Sequence, residues 1–476
     1  MTAPAGGAPM NLETILSGQK ADRADEIRLV LGMSIPAILA QLTSIAMQYT
    51  DAAMVGRIGP GATAAIGLVS SSTWLVGGSL IGISAGFYVQ IAQLIGSGRN
   101  KDASDVFRQG LTVCLLAGLL IGAAGALISG SLPRWLGGEA DVLSASSAYF
   151  FIYSLSVPFA MLRQLSAGTM QSTGDMKTPS ILASLVCLTN VVFNFLLIFP
   201  VRTVHLPGSS VAVPLPGAGL GVVGAALGTA LAEVVISLVT LYFASFRNKK
   251  ISLFTAGSWR FKEHTLRNAA GIGIPMSCDQ IFMCSAYVAG TMIVARLGTV
   301  AVAANSLAIT AESLCYMPGY GIGAAATAII GQTIGARRPD LTKSFSRVSV
   351  CLGMVMMGLT GLLMFIGAPF VFSVLTSSAE VAALGTSVLR TELFAEPLYA
   401  ASICCAGVFR GAGDTLRPSL MNLLSMWGVR IVLAFFLVPR MGLHGYWTAM
   451  AIELCFRGTI FLIRLCRGKW MKDALV

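Results

Sequence analysis

Long apolar stretches dominate the chain, and short polar segments separate each stretch from the next. The stretches fall near residues 29–50, 64–92, 109–132, 146–167, 181–200, 221–244, 272–294, 303–331, 348–371, 387–407, 419–438 and 443–465. Each is long enough, at about 1.5 Å per helical residue, to cross roughly 30 Å of hydrocarbon. The pattern therefore predicts twelve transmembrane helices. The least apolar stretch is 387–407, because it contains Arg390, Glu392 and Glu396.

The composition excludes a soluble protein. Of the 476 residues, 55% are hydrophobic and 11% are charged, with a mean hydropathy of +0.77, whereas about 25% of an average soluble domain is charged. The apolar character is uniform along the chain, which also excludes a soluble enzyme with a single anchor. Residues 1–28 are polar and lack the apolar core of a signal peptide, so we expect a cytosolic tail there.

The charge distribution predicts the orientation in the membrane. The net charge is +11, and 23 of the 32 Lys and Arg residues flank the cytosolic ends of the spans if the tail is cytosolic. The positive-inside rule then places both termini in the cytosol. Because these cations are scattered over short loops, they argue against binding of nucleic acid.

The cysteines and histidines form no pattern that is typical of a metal or redox site. Nine of the ten cysteines fall in apolar segments, and Cys466 directly follows one. A free thiol packs as a small hydrophobe in such segments, and the three histidines are far apart. An intramembrane enzyme would need a nucleophile with a base, or a metal cluster. The chain has no Gly-x-Ser-x-Gly or His-Glu-x-x-His motif, so the sequence predicts neither an enzyme nor a cofactor.

The chain repeats itself at a shift of 239 residues. Glycines and prolines recur at identical offsets, as they do where the same turns and kinks are used twice. The matching residues are Gly32 with Gly271, Pro36 with Pro275, Gln93 with Gln332, Pro158 with Pro397, and Gly174-Asp175 with Gly413-Asp414. We predict an N-lobe at 29–245, a cytosolic loop at 246–268, a C-lobe at 269–470 and a tail at 471–476. The first copy contains about 18 additional residues around Leu206–Pro216.

Each copy has six spans, an even number, so both copies begin and end on the same side of the membrane. Parallel repeats are related by a pseudo-two-fold axis along the membrane normal and can rock around a central cavity. The sequence therefore predicts an all-α polytopic transporter. A channel is disfavoured, because the spans have too few polar residues to line a continuous pore.

Polar residues that occur in only one copy are the candidate functional residues. Four polar residues share one face of the first span: Gln41, Ser44, Gln48 and Asp51. At the 239 shift Gln280 matches Gln41, but the acid is lost. Intramembrane carboxylates mark ion or proton paths. The alternative for Asp51 is a helix-end residue that is solvated or paired with Arg57.

In the fifth span, Asn190 and Asn194 lie one turn apart, and their counterparts Val429 and Leu433 are apolar. Two amides and the Asp51 carboxylate can coordinate a small hard cation such as sodium, or hydrogen-bond a protonated acid. Hydrogen bonding between helices without an ion is the alternative.

The second copy has unmatched acids of its own: Asp279, Glu312, Glu392 and Glu396. These acids suit an organic cation or a second proton, with apolar and aromatic contacts from Met283, Tyr287, Tyr316 and Met317. A structural salt bridge of Glu392 with Arg390 or Arg430 is the alternative. We interpret Glu453 with Arg457, which are four residues apart, and Glu233 as structural.

Three segments carry a family resemblance: Tyr49-Thr-Asp-Ala-Ala-Met-Val-Gly-Arg-Ile-Gly59, Tyr320-Gly-Ile-Gly-Ala-Ala-Ala-Thr327 and Arg410-Gly-Ala-Gly-Asp-Thr-Leu-Arg-Pro418. With the twelve spans and the parallel repeat, the chain resembles the multidrug and toxic compound extrusion (MATE) family, bacterial type, over residues 25–470. The resemblance implies an inner-membrane antiporter that exports organic cations and amphipathic drugs against protons or sodium.

The resemblance also implies roles for particular residues. The family's first-span coupling acid matches Asp51, its fifth-span motif matches Asn190 and Asn194, and a sixth-span threonine matches Thr229. Some relatives have an aspartate at the position of Asn194, so this lobe departs from proton sharing between two carboxylates. The family's seventh-span glutamate falls near Met283, and Asp279, one turn away, is its candidate replacement.

A flippase for lipids or lipid-linked precursors is the alternative function, because distant relatives with similar repeats move such substrates. More basic residues in the cavity or two additional spans would favour a flippase, and the sequence has neither. Each chain contains one complete predicted cavity, so a monomer would suffice for transport.

Overall fold

The structure, a computed structural model, describes residues 12–18, 22–205, 212–248, 250–253 and 257–472. A short helix, α1, precedes the six spans of the first half. The helices of this half are α1 (Leu12–Leu16), α2 (Arg23–Gly56), α3 (Pro60–Gly96), α4 (Asn100–Ile128), α5 (Leu132–Trp135), α6 (Ala140–Ser172), α7 (Lys177–Ile198) and α8 (Gly221–Tyr242), the last continued by a π-helical turn at Phe243–Arg247.

The described residues of the second half form helices joined by short connections. Its helices are α9 (Glu263–Ala295), α10 (Thr299–Gly335), α11 (Pro339–Leu375), α12 (Ala379–Glu392), α13 (Glu396–Ala412), α14 (Leu416–Ser425), α15 (Val432–Met441) and α16 (Leu443–Arg467). A 3-10 turn at Leu393–Ala395 joins α12 to α13, and a π-helical turn at Met426–Ile431 joins α14 to α15. A further 3-10 turn at Lys469–Lys472 follows α16.

All twelve predicted spans are occupied by helices. Eleven helical segments in the described part of the chain are long and apolar enough to cross a membrane. The twelfth, α16, has 25 residues and contains Glu453 and Arg457 within its length. The weakly apolar tenth span is the broken pair α12–α13. Its break precedes Pro397, which lacks an N–H and whose ring clashes with the carbonyl four residues earlier.

The outer surface of the bundle is suited to lipid. Large apolar side chains are highly exposed on the peripheral helices, for example Leu127 of α4 at 86% and Phe370 of α11 at 73%. A soluble protein rarely exposes apolar side chains over a contiguous area of this kind. The exposed faces of α4 and α11 therefore fit the hydrocarbon core of a bilayer.

The additional residues of the first copy form a feature that the all-helical prediction did not include. Strands β1 (Pro200–His205) and β2 (Ala212–Ala218) pair as an antiparallel hairpin between α7 and α8. Residues 206–211 of the predicted insertion lie outside the described residues. The same is true of residues 1–11 and 19–21 of the predicted tail and of residues 473–476.

Matching glycines make the same turns in both halves, as the repeat predicts. Gly59 and Gly298, which precede α3 and α10, have φ angles of 140° and 96°. Gly174 and Gly413, which follow α6 and α13, have φ angles of 94° and 83°. Glycine adopts these angles without the steric cost that a Cβ imposes, so the recurring glycines fix the recurring turns.

We call α2–α8 the N-lobe and α9–α16 the C-lobe. Between them α3 packs against α9, α2 against α10, and α3 against α10. A Cβ on Gly82 would lie 2.8 Å from the backbone nitrogen of Ser277, and a Cβ on Gly321 would lie 2.7 Å from that of Ile38. The 239 shift relates these two contacts, so the lobes meet with pseudo-two-fold symmetry.

The spans alternate in direction, which defines the two faces of the molecule. We call the face where α2 and α9 begin and α16 ends the termini-bearing face. The ends of α3, α6, α10 and α13 lie on the same face. Asp51, Asn194 and the hairpin lie toward the opposite face.

Candidate functional site

Four polar residues from three helices of the N-lobe form one hydrogen-bonded network. Asn194 Nδ2 on α7 donates to Asp51 Oδ1 on α2 at 2.8 Å and to Asn190 Oδ1 at 2.9 Å. Asn190 Nδ2 in turn donates to Thr229 Oγ1 on α8 at 3.0 Å, and that hydroxyl donates to the Ala225 carbonyl at 3.1 Å. The structure thus brings together Asp51, Asn190, Asn194 and Thr229.

One side-chain oxygen of this network has no hydrogen-bond partner among the described residues. The side chain of Asn194 is buried, and its Oδ1 has no hydrogen-bond donor within the described part of the chain. A carboxylate beside an unpartnered amide oxygen is the oxygen-rich arrangement that hard cations prefer. The donor set fits either a sodium ion or a proton on Asp51.

A glycine permits this geometry. A Cβ on Gly228 of α8 would lie 2.1 Å from Asn194 Oδ1 and 3.0 Å from the Asn194 backbone nitrogen. The close approach of α8 to α7 therefore depends on the missing side chain, and any larger residue would displace Asn194 from Asp51.

The rest of the first-span stripe does not join the network. Ser44 Oγ donates to the Ala40 carbonyl within its own helix, at 3.0 Å. Gln48 is exposed and Gln41 is half-buried. Asp51 accepts its hydrogen bond from Asn194 rather than from an arginine in the described contacts, so the pairing with Arg57 is not seen.

The C-lobe buries three acids around the break between α12 and α13. Glu392 and Glu396 are fully buried, and none of their four carboxylate oxygens has a hydrogen-bond partner among the described residues. Glu312 of α10 is 6% exposed, and it interacts electrostatically with both of them. Buried carboxylates without partners are costly, which marks the cluster as a candidate binding site.

The salt bridge considered for Glu392 does not form. Arg390 Nε donates to the Phe365 carbonyl at 3.0 Å, and its guanidinium stacks on the Phe365 ring. Arg430 instead pairs with Glu453 at 2.6 Å. Sequence reasoning missed this partner because Arg430 lies in the π-helical turn before α15, whereas Glu453 lies on α16.

The predicted pair of Glu453 and Arg457 is confirmed, at 3.1 Å. Ser425 Oγ also donates to Glu453, at 2.5 Å. Glu453 is therefore held by two arginines and a hydroxyl in the interior of the C-lobe. Glu233, interpreted as structural in the N-lobe, pairs with Arg163 at 2.5 Å.

Aromatic rings line the acid cluster. Tyr316, one turn from Glu312 on α10, packs against Tyr399 with ring centroids 5.7 Å apart, and against Tyr320 at 5.8 Å. Tyr399 lies one turn from Glu396 on α13. Aromatic faces beside carboxylates are the surroundings that organic cations prefer.

Asp279 makes different contacts from those of the three glutamates. Asn422 Nδ2 of α14 donates to Asp279 Oδ2 at 3.0 Å, and Oδ1 of this acid has no partner among the described residues. This acid–amide pair spans 143 residues, as does the pair of Asp51 and Asn194. Asp279 and Asn422 each lie 11 residues before the position that the 239 shift assigns to Asp51 and Asn194. This displacement is about three helical turns, so it moves the pair toward the termini-bearing face and leaves it on the same helix face. The shared separation of 143 residues was the signal that could have identified Asn422 as the partner of Asp279.

The other predicted C-lobe residues differ in their surroundings. Tyr287 of α9 is 48% exposed, and Met283 is half-buried. Gln280 packs across the lobes against α3, where a Cβ on Gly78 would lie 1.7 Å from its Cγ. Its Nε2 donates to Cys284 Sγ at 3.8 Å.

Twelve spans in two parallel six-helix repeats, with acids within the spans of each lobe, define a polytopic membrane transporter rather than an enzyme. The MatE family model matches residues 36–196 and 275–436, once in each repeat, and the chain belongs to this family. The expected membership of the MATE transporters is thereby confirmed.

Curated relatives match along nearly the whole chain. A protein of Thermotoga maritima named probable multidrug resistance protein NorM is 24% identical over 462 residues, which cover 96% of both chains. A protein of the same name from Chromobacterium violaceum is 27% identical over 474 residues and covers 95% of this chain and 98% of its own.

Solved structures share the fold. One, described as the outward-facing conformation of a multidrug resistance MATE family transporter of the MOP superfamily, superposes with a TM-score of 0.86 at 21% identity, covering 97% of this chain and 98% of that chain. A MOP superfamily transporter from Pyrococcus furiosus, described as having a binding pocket of reverse polarity, superposes with a TM-score of 0.84 at 20% identity, covering 94% of this chain and 97% of that chain. These likenesses establish the architecture of two repeats.

Proposed function

We propose that this protein is a cation-coupled antiporter of the bacterial inner membrane that exports organic cations and amphipathic drugs by alternating access. The observation that carries the proposal is the Asp51 carboxylate, which lies inside the N-lobe and is bonded to a neutral amide rather than to a cation. The names of the curated relatives as multidrug resistance proteins support the substrate class.

The coupling site in this proposal consists of Asp51, Asn190, Asn194 and Thr229. A proton or a sodium ion from outside binds Asp51 and the unpartnered oxygen of Asn194. It can drive export only if it binds one state of the transporter more tightly than the other. Binding at Asp51 would alter the contacts of α2 with α7 and thereby lower the affinity for the drug.

The drug site in this proposal lies in the C-lobe. A cationic drug would place its charge near Glu312, Glu392 and Glu396 and its apolar part against the tyrosines. Asp279 with Asn422 would hold a second proton nearer the termini-bearing face. The remaining lining residues of the inter-lobe cavity are Gln41, Ser44, Gln48, Gln280, Met283 and Tyr287.

The orientation and the functional unit belong to the same proposal. Both termini lie in the cytosol, so the termini-bearing face is the cytosolic face, and Asp51 lies toward the outside. Lobes at 29–245 and 269–470 enclose one cavity in a single chain, so a monomer transports without a partner and without a cofactor other than the coupling ion.

The test is efflux of a fluorescent organic cation from proteoliposomes that contain the purified protein. An imposed pH gradient and an imposed sodium gradient are compared for the wild type and for Asp51→Asn. We expect one gradient to drive efflux in the wild type and neither to do so in the variant, because an amide cannot carry the exchangeable charge.

The control is Asp340→Asn, which removes an acid that is exposed on the termini-bearing face and paired with Arg338. This variant should retain efflux. Wild-type efflux by Asp51→Asn would refute the coupling role of Asp51, and no efflux by the wild type under either gradient would refute the antiport proposal.

A further inference from the structure

Two glutamines bridge the lobes at the termini-bearing face. Gln93 Nε2, near the end of α3 in the N-lobe, donates to the Gly411 carbonyl of α13 in the C-lobe at 3.0 Å. Gln332 Nε2, near the end of α10 in the C-lobe, donates to the Ser172 carbonyl of α6 in the N-lobe at 2.8 Å. Both glutamines are buried, at 0% and 1% exposure. We infer that Gln93 and Gln332 form a reciprocal latch that closes this face during transport.

The repeat relates the two bonds to each other. Gln93 and Gln332 are separated by the shift of 239 residues, and so are the two acceptors Ser172 and Gly411. Each lobe therefore donates one hydrogen bond and accepts the equivalent one. A bridge that is symmetric in this way resists separation of the lobes equally on both sides of the pseudo-two-fold axis.

Each acceptor carbonyl lies in the last turn of a helix. α6 ends at Ser172 and α13 ends at Ala412. The last four carbonyls of a helix have no partner within the helix and carry the negative end of its dipole. The glutamine of one lobe thus satisfies a carbonyl that the other lobe cannot satisfy within its own helix.

Backbone contact between the lobes accompanies the latch. A Cβ on Gly96 would lie 2.0 Å from the Gln332 carbonyl oxygen, and a Cβ on Gly335 would lie 1.8 Å from the Gln93 carbonyl oxygen. These glycines are also separated by 239 residues. A methyl group at either position would hold the ends of α3 and α10 apart and prevent closure of the face.

The latch borders a cavity of about 680 Å³ on the same face. Gly96, Gly335 and Gln332 line it, together with Glu13 and Lys250, which pair with each other at 2.6 Å. Water can therefore reach the helix ends as the lobes separate and replace the lost hydrogen bonds. Neutral hydrogen bonds that exchange with water contribute little net free energy, so the latch is strong enough to bias the equilibrium and weak enough to open in each cycle.

This inference rests on the proposed alternating access. A drug that enters from the cytosol must pass the termini-bearing face, so both bonds must break on opening and form again before release to the outside. Gln93 and Gln332 are then positioning residues. They contact neither the coupling ion nor the drug, and they set how often the cytosolic face is open.

The test measures closure itself and does not require transport. Spin labels at Lys101→Cys and Asp340→Cys report the distance across the face, because both positions are exposed and related by the repeat. The background replaces the exposed cysteines Cys278, Cys351 and Cys466 with serine. We expect Gln93→Ala or Gln332→Ala to raise the ratio of open to closed molecules by roughly 3- to 10-fold, and the double variant by roughly 10- to 100-fold.

The matched control is Gln171→Ala, which removes a glutamine beside Ser172 that makes no cross-lobe bond in the described contacts. Its distance distribution should equal that of the parent. If the alanine pair does not fold, Gln93→Glu with Gln332→Glu takes its place. This pair keeps the side-chain size and places a carboxylate against each carbonyl, so it should also open the face. A parental distribution in the folded double variant, alanine or glutamate, overturns the latch. If the wild type shows no antiport, but removal of the glutamines still opens its face, the proposed function alone is overturned.

Discussion

Replacing Glu453 with glutamine tests whether the buried ion cluster of the C-lobe is structural. The side chain of Glu453 is 0% exposed, and those of Arg430 and Arg457 are 4% and 6% exposed. Glu453→Gln leaves two buried guanidinium groups without their counter-ion. It preserves the size of the side chain, so the loss of charge is the main change.

The expected loss of stability is large. Removing one partner of a buried ion pair costs about 3–5 kcal/mol, because the remaining charge is uncompensated. Here two charges remain. Stacking of Arg457 on the ring of Tyr399, with its Cζ 5.3 Å from the centroid, offsets a part of that cost. The matched control is Glu233→Gln, where the partner Arg163 is 26% exposed, so water can solvate the guanidinium and the loss should be smaller.

Thermal unfolding of the purified protein measures the difference. The structure contains ten free cysteines, of which Cys114, Cys315, Cys404 and Cys405 are buried. A thiol-reactive fluorogenic maleimide therefore reports exposure of the core on heating. Glu453→Gln should lower the unfolding temperature by more than Glu233→Gln. Equal unfolding temperatures for Glu453→Gln and the wild type would refute the structural interpretation, and a loss of efflux without a loss of stability would place Glu453 in the transport mechanism.

Two further predictions concern the proposed transport sites. Gly228→Ala should reduce gradient-driven efflux by about tenfold or more, because its Cβ would meet Asn194 Oδ1 and misplace a binding group. The control is Gly67→Ala, where a Cβ meets nothing within 4 Å. Equal efflux by the two variants would contradict the role of this contact. Glu396→Gln should weaken binding of an organic cation by about 1–3 kcal/mol, or roughly 5- to 150-fold in Kd, without loss of stability, because the carboxylate has no partner to lose. Equilibrium binding of a fluorescent cation measures this change against the exposed Glu380→Gln, and equal affinities would remove Glu396 from the drug site.

Much of the fold could be predicted from the sequence. Apolar length alone predicted the twelve spans, and the 239 shift predicted the repeat that the turns at Gly59 and Gly298 confirm. The charges of the tenth span marked it as the least apolar span, but they did not predict the break in its helix. The hairpin was missed because its strands are short and pair only with each other.

Part of the candidate site could also be predicted. Helical periodicity and the comparison of the two copies selected Asp51, Asn190 and Asn194, and the family resemblance added Thr229. The structure joins these four residues through hydrogen bonds. Their common property was polarity at membrane depth, which is costly and therefore conspicuous within an apolar span.

The sequence by itself determined the class of protein, because apolar length, charge asymmetry and an internal repeat are properties of a linear chain. The tertiary structure decided the partners. Arg430 pairs with Glu453 rather than Glu392, Asn422 pairs with Asp279, and Gln93 bonds across the lobes to Gly411. Each of these contacts joins helices that are distant in sequence, and their rotation and depth depend on how the side chains of both lobes pack. Close approaches at glycines set that packing, and a linear pattern does not specify which helix a glycine faces.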